Sequence, residues 1–128
     1  MVTESGGSSS AILVVEQSEK LERYRQTVVR LLTEYAERSA GGAIRTVPIF
    51  DREHDRYQLL DMGWDEAERR VFQPVVQVDL IEGKVWIQEN MTDWDVGRVL
   101  VEAEVERSEI VLGMHSKALR RFSEYAVE

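Results

Sequence analysis

Cysteine is absent from these 128 residues, which removes thiolate metal sites, thiol nucleophiles and disulfides together. Its absence fits a reducing compartment. Histidine is almost as scarce. His54 and His115 are the only two, and nothing in the sequence brings their segments together, so no metal and no cofactor is expected. Long apolar runs are missing as well. The longest, Ala11–Val15, falls far short of the ~20 residues that cross a bilayer. It lacks the cationic start and the small-residue cleavage site of a signal peptide. The expectation is a soluble, cytoplasmic protein with no membrane partner. Positive charge is the last deficit: 16 Lys and Arg stand against 24 Asp and Glu, a formal charge of −8. Such a surface repels phosphate backbones, so DNA contact is disfavoured, and solubility or a basic protein partner suits it better.

What is present organises as one domain, the usual outcome at this length. Residues 1–17 begin with Gly/Ser-rich "MVTESGGSSS" and read as a flexible arm, with "AILVV" as a short extra strand. Residues 18–128 form the domain. Ser18 is placed to cap a helix whose Leu21, Tyr24, Val28, Leu31, Leu32 and Tyr35 share one face, ending at Ala40-Gly41-Gly42. "AIRTVPIF", "RYQLLDMGW", "RRVFQPVVQVDLI" and "KVWIQE" follow as four strands, Pro48 marking an edge or an end. Glu82-Gly83 fits a two-residue hairpin turn. That register pairs Leu80 with Val85, Asp79 with Trp86, Val78 with Ile87 and Gln77 with Gln88. Val76, Val78, Leu80, Val85 and Ile87 then form the face beneath the helix. Thr92 and Asp95 resemble a capping box for a second helix, and "SEYAV" closes the chain as a strand-like piece. The class is α+β: an N-terminal helix on an antiparallel or mixed meander sheet, then a second helix and a tail.

Catalytic constellations are hard to find. Asp51, Glu53, His54 and Asp55 are the raw material of an acid–base or metal site. Adjacent side chains in a turn splay apart, however, while ligands must converge, and turns select Asp for their own geometry. They read as a solvated turn, and no catalytic residue is assigned. No Gly-x-Ser-x-Gly elbow occurs, and "GGA" at Gly41 lacks the lysine of a phosphate loop. "VLVEAEVERSEIVLG" faintly suggests helix-turn-helix, but Ser108–Gly113 offers Glu109 and no base-reading Arg or Asn. Lys117, Arg120 and Arg121, beside Phe122 and Tyr125, are the one basic–aromatic cluster: a candidate contact for DNA or a partner, or equally for an acidic residue of the same surface. On the sheet face away from the helix, Gln77, Asp79, Trp86 and Gln88 place one aromatic among amides and a carboxylate. That pattern suits a protein-binding face, or one covered by another element of the same chain.

In order and spacing, "LERYRQTVVRLLTEYA", "IFDREHDRYQLLDMGW", "VQVDLIEGKVWIQENMTD" and "IVLGMHSKALRRFSEYAV" resemble the XisI family, from Leu21 to Val127. These are small cyanobacterial proteins named as controlling factors for excision of the fdxN DNA element. The resemblance implies an α+β fold and a non-enzymatic accessory role. It also implies a XisH-like, nuclease-fold protein as partner, in support of a separate recombinase; the Trp86 face is expected to meet that protein or another copy of this chain. It supplies no catalytic residues. The chain departs from the family pattern where Gln77 replaces a usual histidine, where Ser116-Lys117 replace Pro-Pro, and in the arm.

Overall fold

The structure, a computed structural model, describes residues 2–39 and 42–128, with residues 2–9 described by backbone alone. Its first element is α1, Val2–Arg38. Tyr24, Val28, Leu31, Leu32 and Ala36 recur at helical spacing and are all buried. Residues 2–17 are not an arm carrying a strand. They are helical, continuous with the rest of α1, so Ser18 lies inside the helix rather than capping it. A run of β-branched residues favours a strand locally, but here it continues a helix whose packed 21–36 segment is anchored on the sheet. At the other end the helix stops at Arg38 with Ser39 in a turn, and the expected stop at Ala40-Gly41 lies outside the described residues.

Four antiparallel strands follow as a meander: β1 Ile44–Asp51, β2 Arg56–Trp64, β3 Arg70–Ile81 and β4 Lys84–Asn90. α2, Val96–Glu102, then crosses to β5, Ile110–Leu112, which joins β4 in parallel. The sheet is therefore mixed, with order β1-β2-β3-β4-β5, and the α+β expectation holds. Pro48 lies on the edge strand β1, where a missing N–H is tolerated. Pro74 sits at an irregularity where β2 and β3 shift register between Leu59 and Leu60, leaving Val75 without a partner.

Glu82 and Gly83 both have positive φ, 50° and 80°, the primed turn that a two-residue hairpin needs. Leu80 pairs with Val85, Asp79 with Trp86 and Val78 with Ile87 as expected. Gln77, however, faces Glu89, because a bulge inserts Gln88 as an extra residue. The core is the layer between α1 and the sheet. Tyr57, Leu59, Val76, Val78, Val85 and Ile87 come from the strands, Val96 and Leu100 from α2, and Val105 and Ile110 from the segment behind it. Tyr35 and Trp94 stack at 4.6 Å between ring centroids and tie α1 to the start of α2.

Three smaller features complete the fold. Asp95 alone caps α2, accepting from the Arg98 amide at 3.2 Å, while Thr92 bonds Asn90 and shapes the approach. The 107–112 stretch is a short 3₁₀ turn and a strand, so no recognition helix exists there. "SEYAV" makes one bridge, Ala126 to Val111, beyond the β5 edge. Among the described residues no helix is long and apolar enough to cross a membrane.

Two glycines have contrasting reasons. A Cβ on Gly63 would lie 2.1 Å from the Ala43 carbonyl oxygen, whereas one on Gly83 would meet open space and suffer only from the positive φ. Gly83→Ala is therefore expected to cost about 1 kcal/mol. Gly63→Ala should cost at least about 2 kcal/mol, because the start of β1 must move. Urea unfolding of the two variants checks the order, and equal midpoints would contradict it.

Candidate functional site

At the β1–β2 end, Asp51 accepts from the Glu53 and His54 amides, both at 3.1 Å, and from the His54 ring at 2.8 Å. This is a self-contained turn, as the residue types suggest. Asp55 does something else. Its carboxylate takes both Nε and Nη2 of Arg25 from α1, at 2.7 and 3.0 Å, and the Tyr57 hydroxyl at 2.8 Å. Burial alone would raise the Asp55 pKa, but the bonds from Arg25 and Tyr57 outweigh it, and the carboxyl sits below its ordinary value. Burial, then the bond to Asp55, raises the Tyr57 hydroxyl. Glu109 repeats the arrangement at β5. It holds Lys20 at 2.6 Å and the Tyr24 hydroxyl, and those bonds overcome the effect of burial to depress its pKa too. These carboxylates pin the helix to the sheet. Among the described residues no three His, Asp or Glu side chains gather as a metal site, and His54 and His115 lie on the β1–β2 turn and just after β5 respectively.

The sheet face away from α1 has three zones. In the first, Arg56 bonds Asp79 at 2.7 Å, Gln77 bonds Asp79 at 2.7 Å and Gln58 bonds Gln77 at 2.9 Å. Asp79 is only 4 % exposed. Of the four candidate partner-binding residues, Gln77 and Asp79 are thus spent on this row. In the second zone the chain covers itself. Gly113 lies so close that a Cβ there would fall 2.3 Å from Gln88 Oε1 and 3.1 Å from the Trp86 ring. Arg120 lays its guanidinium over Trp86 at 5.0 Å, donates from Nε to the Leu112 and His115 carbonyls, and donates from Nη1 to that of Val127. Arg120 is therefore a clasp for the tail. Lys117 pairs with Glu128 at 2.8 Å, which leaves Arg121 as the unengaged member of the basic trio among the described residues. Trp86 is partly buried and forms a wall of a hollow of about 410 Å³ shared with Ile81, Glu82, Lys84 and Glu128.

The third zone spans β1, β2 and β3 and is open. Cross-strand pairing puts Ile49 opposite Gln58, Val47 opposite Leu60, Met62 opposite Phe72, and Trp64 opposite Arg70. Ile49, Trp64 and Phe72 are exposed, and Arg70 lies over both aromatic rings, at 5.3 and 6.0 Å. Sequence reasoning missed this zone. The signal was two aromatics and two arginines, Arg45 and Arg70, on the outward phase of adjacent strands.

The molecule is thus of a definite class: a two-layer α+β domain in which α1 and α2 cover one sheet face and the tail, with its short helix Lys117–Arg120, clasps part of the other. The family described as XisI protein matches residues 18–127, and the chain belongs to that family. A solved XisI-like protein from Anabaena variabilis is 33 % identical with a TM-score of 0.78, the match covering 84 % of this chain and 99 % of that one. The fdxN element excision controlling factor XisI from Anabaena variabilis is 28 % identical with a TM-score of 0.73, covering 85 % and 99 %. No curated protein matches the chain.

Because the Asp55 and Glu109 pKa values are lower in the folded state, protonation favours unfolding. Their stabilisation is complete at neutral pH and is lost as pH falls through the ordinary carboxylate range, near 4, toward the depressed folded values. Asp55→Asn is expected to lose about 2 kcal/mol at pH 7. Its melting temperature should then fall less steeply than that of the parent below about pH 4. Thermal melts between neutral and acid pH measure both effects, and parallel slopes would rule out this role for Asp55.

Proposed function

We propose that the chain is a non-enzymatic, cytoplasmic accessory factor for excision of a DNA element, acting by binding a XisH-like, nuclease-fold partner. The observation that carries this reading is membership of the XisI family, together with a solved relative named as an excision controlling factor. The side-chain chemistry supports it. The carboxylates that most resemble acid–base groups are bonded to Arg25, Lys20 and two tyrosines, and serve the fold. The tail cations that most resemble a phosphate grip are largely turned inward, on carbonyls and on Glu128. A surface of charge −8 with aromatic edges suits a protein contact better than a nucleic-acid one.

In this reading the partner meets the second face at the hollow walled by Trp86 and Lys84, a side chain of the partner entering it next to Glu128. The test is co-purification from the native cell before and after nuclease treatment. A XisH-like protein should stay bound when DNA is destroyed, and its loss with the DNA would reject the proposal. Trp86→Ala should weaken partner binding by at least about 2 kcal/mol, roughly thirtyfold, in calorimetric titration. Its stability should drop only by about 1 kcal/mol, the worth of the Arg120 contact, and Trp86→Phe should largely restore binding. Unchanged affinity in Trp86→Ala would place the partner elsewhere.

A further inference from the structure

The front of α1 poses a physical problem. Every residue from Ser10 to Glu19 is exposed, including Ile12, Leu13, Val14 and Val15, each more than half accessible. The preceding residues include Gly6, Gly7 and three consecutive serines, all poorer helix formers than alanine, and a β-branched apolar run gains nothing from standing in water. A helix of this composition needs a surface to lie on. Its own domain does not provide one. Val14, Gln17 and Leu21 continue the core-facing stripe only as far as a hollow beside Glu82-Gly83-Lys84. Beyond that the helix runs on past the β3–β4 turn. Because α1 is one continuous helix anchored on the covered face, it cannot bend round to the open one.

The open zone poses the complementary problem. A sheet face carrying Ile49, Trp64 and Phe72 lacks the helix that normally covers such a layer. Its charge is positive: Arg45 and Arg70 flank the apolar rows, Arg70 donates only to the Gly63 carbonyl, and neither is in a salt bridge among the described residues. On α1, Ile12, Val15, Glu16 and Glu19 fall at helical spacing on one side, two apolar residues followed by two carboxylates. Neither Glu16 nor Glu19 has a cationic partner among the described residues. A helix about 10 Å across matches three strands spaced about 4.8 Å apart. We propose that the front of α1 from one copy of this chain lies across the β1–β2–β3 face of a second copy, Ile12 and Val15 on the aromatic rows and Glu16 and Glu19 toward Arg45 and Arg70. Reciprocal exchange closes a two-fold pair. This surface is separate from the Trp86 hollow, so the two proposals fail independently.

The absence of cysteine gives a clean test. Val15→Cys and Phe72→Cys are made separately in the full chain, one isotopically labelled, then mixed and oxidised, and the disulfides are read by mass spectrometry. The expected product is a cross-link joining position 15 of one variant to position 72 of the other. Links between two 15 positions would mean helix-to-helix pairing, and links between two 72 positions face-to-face pairing. Either of these, or no dimer at all, overturns the proposal. Arg45→Glu with Arg70→Glu should slow the mixed cross-link about tenfold, and adding Glu16→Arg with Glu19→Arg on the helix variant should restore it. Failure of the second pair to rescue a slowed cross-link would overturn the charge matching.

Discussion

A sheet has two faces, and a slip of one residue exchanges them. In this chain the exchange would turn Val78, Leu80, Val85 and Ile87 to water and drive Asp79 and Trp86 under α1. Fully burying one such aliphatic side chain is worth roughly 2 kcal/mol, so the wrong register forfeits an amount comparable to the entire net stability of an ordinary domain. The Glu82-Gly83 turn sets this phase locally and the burial enforces it globally. Everything on the second face inherits its position from that choice, including the polar row, the clasped tryptophan and the open aromatic rows.

The ionic contacts act on orientation more than on gross stability. Arg30–Glu34 and Arg98–Glu102 are exposed helix pairs, at 3.6 and 3.7 Å, and contribute a few tenths of a kcal/mol at most. Arg25–Asp55 and Lys20–Glu109 differ in geometry: partly buried, short, and each supplemented by a tyrosine hydroxyl. They fasten the same stretch of α1 to the β1–β2 turn on one side and to the start of β5 on the other. Apolar packing alone lets a helix slide or rotate on a sheet. Two directional contacts on opposite sides of it remove that freedom.

Elements with a strong local signature were legible in the sequence. Four strands, the primed turn, the core stripe of α1 and the location of α2 follow from periodicity and turn chemistry. What escaped has no local signature. The extra residue Gln88 leaves no compositional mark, because a bulge depends on how two strands pair, and only Pro74 hints at the irregularity beside Val75. Three residues of β5 are too short to announce a parallel pairing. Arg120 is a surface-type residue until the fold brings the Leu112, His115 and Val127 carbonyls around it, and no local pattern announces that grouping. Asp55 looked like one more charge in a polar turn, and only the approach of Arg25 and Tyr57 distinguishes it from Asp51. Ala11–Val15 was read by its own β propensity, which the adjoining helix overrides.

The two margins of the sheet are treated differently from its faces. Beyond β5, Ala126 donates to the Ile110 carbonyl at 2.8 Å, so the tail already occupies that ladder. On β1, Pro48 interrupts the row of amides. Backbone pairing is indifferent to side-chain identity, and an unguarded margin recruits any extended peptide, including the chain's own misfolded copies. With both margins blunted, recognition passes to side chains. Choice of associate can then diverge by substitution of a few surface residues while the hydrogen-bonded frame stays as it is.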